Sequence, residues 1–113
     1  MAAQKIEKGE IVKIVNLTPH AVHLPDRAIE PSGIVARCQE NTIFVGTFDG
    51  ITLIMRDYGD VTGLPDSESG TLYIVSMLVR QALPGRDDVA SPGDLIRDVS
   101  GQIVMALNLV VNY

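Results

Sequence analysis

Short runs of apolar, mostly β-branched residues alternate with turn-forming residues along this chain. Residues 11–17, 20–24 and 34–39 each read as a strand, separated by Thr18-Pro19 and by Glu30-Pro31-Ser32-Gly33. Further turn signals stand at Pro25-Asp26, Asp49-Gly50, Gly59-Asp60, Pro84-Gly85, Pro92-Gly93 and Ser100-Gly101. Strands punctuated this way predict a mainly antiparallel β structure. Valine and isoleucine total 24 against ten leucines, and β-branched side chains pack well on a pleated surface but lose rotamer freedom in a helix.

The sharpest local signal is residues 42–48, then Asp49-Gly50, then residues 51–56. Asp-Gly suits the two positive-φ positions of a type I′ turn, the commonest two-residue hairpin loop. This register pairs Phe48 with Ile51 and sets Phe44, Phe48, Ile51, Leu53 and Met55 on one face. Ile43, Val45, Thr47, Thr52, Ile54 and Arg56 fall on the other. Both faces are largely apolar, so the hairpin is expected to be covered on both sides. A chain with so much two-sided apolar strand and one short helix is expected to form a homo-oligomer.

Residues 58–70 read as a polar, acidic loop, and residues 71–75 resume as a strand. Ser76 then caps a helix over residues 77–83, since its oxygen accepts from otherwise unpaired N–H groups; Pro84-Gly85 stops it. A long loop leads to Asp94, a strand covers residues 95–98, and Asp98-Val99-Ser100-Gly101 forms a turn with Gly101 left-handed. Strands over residues 102–106 and 109–112 end the chain. The expected class is α+β, a single domain over residues 1–113 with antiparallel strands dominant.

Length and composition sharpen this picture. At 113 residues and 46% hydrophobic the chain suits one folded domain, because disorder needs low hydrophobicity and high net charge. No apolar run reaches membrane-spanning length, and the opening MAAQKIEKGE is polar, so neither a membrane span nor a signal peptide is expected. A single cysteine, Cys38, excludes an intramolecular disulfide and fits a reducing cytoplasm. Charge is uneven: residues 57–113 carry three basic side chains (Arg80, Arg86, Arg97) and eight acidic ones, so the whole −5 lies there. Duplex nucleic acid, which demands clustered Lys and Arg, is excluded as an expected partner. A small anion held by a few arginines is not.

Several residues carry candidate chemistry. His20 and His23 form an H-x-x-H pair, but positions i and i+3 of a strand point to opposite sides, so no shared metal is expected. His20 alone either satisfies backbone groups after Pro19 or serves as a ligand contact and proton carrier. Ser76 sits at a strand-to-helix junction without the flanking glycines of a nucleophile elbow, so it reads as a cap rather than a nucleophile. Arg86-Asp87-Asp88 and Asp94 form an acidic loop without calcium-loop spacing, and Cys38 reads as a small buried apolar residue.

The stretch Ile14-Val15-Asn16-Leu17-Thr18-Pro19-His20-Ala21-Val22 resembles the opening of a family of small uncharacterised proteins in bacterial and phage genomes. The resemblance continues through Pro31-Ser32-Gly33, residues 58–65, residues 70–76, Pro84-Gly85-Arg86-Asp87-Asp88 and Pro92-Gly93-Asp94. It spans nearly the whole chain and implies no particular activity. A fainter resemblance is to small viral ring nucleases that cleave cyclic oligoadenylate signals. It lies in Asn16-Leu17-Thr18 and in Leu72-Tyr73-Ile74-Val75-Ser76 running into a helix with Arg80-Gln81. The chain departs from that pattern in having no Gly-His-Asp segment.

Together these observations lead to the expectation of a phage- or prophage-type accessory protein, without catalytic residues, metal or cofactor. It would bind and sequester a small anionic ligand, a nucleotide immune signal, and so act against host defence. The expected ligand-binding residues are Asn16, Thr18, His20, Ser76, Arg80 and Arg86. The alternatives are a ring-nuclease-like phosphodiesterase using His20 as acid or base, and a structural protein that oligomerises through its hairpin.

Overall fold

The computed structural model describes residues 11–112. In chain order its elements are β1 (Lys13–Asn16), β2 (Val22–Leu24), β3 (Arg27–Ile29), β4 (Arg37–Phe48), β5 (Ile51–Thr62), β6 (Thr71–Ile74), α1 (Met77–Gln81), β7 (Val89–Arg97) and β8 (Ile103–Val111). Strands predominate beside one short helix, the α+β class expected from the sequence. The principal sheet is mixed, with order β1-β6-β7-β8; β1, β6 and β7 run parallel and β8 is antiparallel to β7. Hairpins β2–β3 and β4–β5 form two further two-stranded sheets.

The centre of the body is β6. Leu72-Tyr73-Ile74-Val75 is an unbroken apolar run, the pattern of a strand covered on both faces, and all four residues are buried. Tyr73 and Val75 share a core cluster with Leu17, Ala36, Val79 and Val89. Leu72 and Ile74 point to the opposite face, because successive side chains alternate. The helix is the crossover that parallel neighbours β6 and β7 require. Ser76 starts it, its Oγ accepting from the Val79 N–H at 3.3 Å, and Val79 is its buried residue.

The β4–β5 hairpin projects from this body as an arm. The radius of gyration is 16.5 Å, against about 13 Å for a compact chain of this length. Asp49 (φ 52°) and Gly50 (φ 80°) both adopt left-handed backbone, and Phe48 opposes Ile51, as expected for the two-residue turn. The face assignment needs correction. Phe44 pairs with Ile54 and Gly46 with Leu53, leaving Val45 as an extra residue in a bulge. Cross-strand partners share a face, so Phe44 lies with Thr47, Thr52 and Ile54, while Ile43 lies with Phe48, Ile51 and Met55. Glycine is the residue that admits such a bulge.

Other boundaries also move. The strands expected over residues 34–39 and 42–48 are one strand, β4. Its partner β5 runs to Thr62, so the expected loop from Tyr58 begins only at Gly63. Gly63, with φ 83°, lies where a Cβ would meet the Val35 carbonyl oxygen at 2.4 Å, so the chain leaves the arm at a position closed to larger residues. Pro92-Gly93-Asp94 is not a turn but part of β7. Beyond Ala90 that strand pairs only with β8, and an edge tolerates a proline that cannot donate. The two strands expected over residues 102–112 are the single β8; Asn108 spends its side-chain amide on Asp94 Oδ2 (2.7 Å) instead of turning the backbone.

Candidate functional site

Where β1 and β6 end in parallel, the chain beyond β1 is stitched between two neighbours. Leu17 N–H donates to the Ile74 carbonyl (2.8 Å), and Leu17's own carbonyl accepts from Ala36 N–H (3.0 Å). This places residues 17–19 and 35–38, with Ser76, Leu78 and Val79, around one cleft of about 210 Å³. Its floor is apolar: Leu17, Ala36 and Val79 are buried. Thr18, Ser76 and Arg37 supply its polar groups.

The expected site residues divide into three groups. Thr18 and Ser76 meet at this cleft. Asn16 lies beneath it, buried and fully engaged. Its Nδ2 donates to the carbonyls of His20 (2.8 Å) and Ile29 (2.9 Å), and its Oδ1 accepts from Thr18 N–H (2.9 Å) and Thr18 Oγ1 (2.7 Å). Asn16 is thus the staple that holds the turn after β1. Thr18 Oγ1 has one proton, already directed at Asn16 Oδ1 and the His20 carbonyl. Ser76 is different: its oxygen accepts from Val79, and its proton has no acceptor among the described residues. His20 is exposed and does not line the cleft; its carbonyl, not its ring, is the group held by Asn16 and Thr18. His23 is exposed in β2, opposite Ala28.

Arg80 and Arg86 lie toward the other end of α1 and do not line the cleft. Arg80 Nε donates to Ser91 Oγ (2.7 Å) and Nη1 to Asn112 Oδ1 (3.1 Å). Arg86 forms a two-pronged pair with Asp88 at 2.7 and 2.8 Å and also reaches the Pro65 carbonyl. Burial is the largest single influence on the Asp88 carboxyl and pulls it upward, but hydrogen bonds from Arg86 and Ser67 together with the Arg86 charge outweigh it and hold the group below its ordinary range. Hydrogen bonding to Asp88 raises Arg86 in turn. This pair fastens the loop between α1 and β7 to the loop before β6. Tyr73, beside it, is pushed up by burial and then by the charge of Glu68.

Two residues that the sequence reading passed over matter here. Arg37, the first residue of β4, brings a cation to the cleft and has no acidic partner within salt-bridge distance among the described residues. In Val35-Ala36-Arg37-Cys38 only Arg37 is exposed, beside a buried Ala36, and its signal in the sequence was a lone cation between small apolar neighbours. Asn112 ties the chain's end to the helix, its Nδ2 donating to the Arg80, Leu83 and Arg86 carbonyls. Nothing local in the sequence marks that role. Cys38 is half-buried against the core and lines the cleft wall. No group of three or more His, Cys, Asp or Glu side chains is placed to hold a metal among the described residues. No helix among them is long and apolar enough to cross a membrane. Set against known protein families, curated proteins and solved structures, the chain matches none.

Proposed function

We propose that this chain is a phage- or prophage-type accessory protein that binds and sequesters a small anionic ligand, a nucleotide immune signal, without turning it over. The observation that carries the reading is the cleft where β1 and β6 end, with the Arg37 guanidinium and the Ser76 hydroxyl at one apolar-floored opening. A guanidinium offers a phosphate two parallel hydrogen bonds, and the hydroxyl adds a third donor. About 210 Å³ is below the ~300–1,000 Å³ of whole-ligand pockets. The cleft therefore suits a phosphate or one ring of a nucleotide, with the rest of the ligand on the surface. The five-residue α1 carries only a small dipole, so Arg37 supplies most of the charge in this reading. His20, the acid or base of the phosphodiesterase reading, does not line the cleft, which favours sequestration over turnover.

The test is to incubate the purified chain with a panel of cyclic nucleotides, remove free ligand, denature by heat and chromatograph the supernatant. Intact ligand released by heat is the expected result. A cleaved product would instead establish the phosphodiesterase reading, and no retained ligand would end the sequestration proposal. Arg37→Ala should abolish retention while changing unfolding free energy by no more than ~0.5 kcal/mol, as for other exposed substitutions.

A further inference from the structure

The geometry points to the β4–β5 arm as a self-association surface whose occupant is the arm of a second copy of this chain. The nine large apolar side chains between Ile43 and Tyr58 are 42–69% exposed, which puts roughly 1,000 Å² of apolar surface on the two faces of one arm together, against the ~800 Å² each partner gives a standard interface. The surface has two sides. Phe48, Ile51 and Met55 stand on one face and Phe44 and Ile54 on the other, by the observed register. An isolated two-stranded hairpin is at best marginally stable in water, so an arm of twelve-residue strands needs covering.

Two features select a second copy rather than a different partner. From Asn41 to Met55 the only charged residue is Asp49, at the tip; Glu40 and Arg56, at the root, pair with each other. A surface charged only at its tip gives a charged partner little to complement, and along its strands it meets an identical surface without repulsion. The second feature is the edge. In a two-stranded sheet each strand leaves one row of N–H and C=O groups unpaired. Neither β4 nor β5 carries, between residues 41 and 55, the lysine or proline that usually guards such an edge. Pairing of arm with arm about a two-fold axis satisfies both copies by the same contacts, the commonest form of closed assembly. This inference stands independently of the ligand cleft.

The test is sedimentation velocity of the full chain over a wide concentration range. The expected result is a defined multiple of the 12.2 kDa chain mass, dissociating on dilution. The double variant Phe44→Glu, Phe48→Glu should lose assembly while keeping the wild-type far-UV dichroism. A monomer at every concentration, a spread of ill-defined aggregates, or undiminished assembly of the folded variant would overturn the proposal. Should the double variant not fold, a spin label at Thr47→Cys in a Cys38→Ser background supplies the second reading. A discrete inter-copy distance is expected, and its absence would count against the arm.

Discussion

β6 and β5 are made of similar residues and have opposite fates. Thr71-Leu72-Tyr73-Ile74 is buried throughout, whereas every residue of β5 from Ile51 to Asp60 is exposed. Both strands are rich in β-branched and large apolar side chains. What differs is the company: β6 has β1 on one edge, β7 on the other and α1 over one face, while β5 has only β4. Composition thus decides that a segment is a strand, and topology decides whether its side chains leave water. A hairpin with apolar residues on both faces carries a demand for cover that its own chain does not meet.

Core substitution should separate the two regions most widely. Ile74→Ala removes a fully buried side chain and should cost ~2–5 kcal/mol. Ile51→Ala, measured at a dilution where the chain is monomeric, should cost less than ~0.5 kcal/mol. Denaturant midpoints give both values, and equal costs would break the contrast between body and arm. Next in size is the ion pair that closes the body. Arg86→Ala leaves Asp88 buried without its cation, which should cost about 2 kcal/mol, less than a fully enclosed pair because Arg86 is partly exposed. The pair also sets a pH dependence. Since the Asp88 carboxyl is depressed in the folded state, its stabilisation is complete above the unfolded value near ~3.9 and is lost as pH falls through the folded value. Arg86→Ala should therefore flatten the acid limb of the stability–pH curve. Smallest is the arm's turn: Gly50→Val puts a β-branched residue at φ 80° and should cost somewhat more than ~1 kcal/mol. The loss should appear in the arm's hydrogen exchange before it appears in global unfolding.

The parts legible from sequence were those governed by local chemistry. Asp49-Gly50 dictates its turn because few residues tolerate consecutive left-handed conformations, and Ser76 caps its helix through its own oxygen. Residues whose roles depend on distant neighbours were misread or missed. Val45 became a bulge through pairing between β4 and β5, and Pro92 lies within a strand because β6 stops short beside it. Arg37 reaches the cleft only because Ala36 is stitched to Leu17. Arg86 illustrates the same limit from the other side: its pairing with Asp88 two residues on was open to sequence reasoning, its reach to Pro65 was not. Asn16, expected as a ligand contact, is a staple whose four hydrogen bonds are all internal.

Amide hydrogen exchange as a function of protein concentration bears most directly on the contrast between a self-sufficient body and an arm covered by a second copy. Protection in β6 should be high and independent of concentration, because its partners belong to the same chain. Protection in β4 and β5 should rise with concentration, as association buries the arm. Arm amides that exchange equally fast at every concentration, or that are already as protected as β6 in the dilute monomer, would contradict the account.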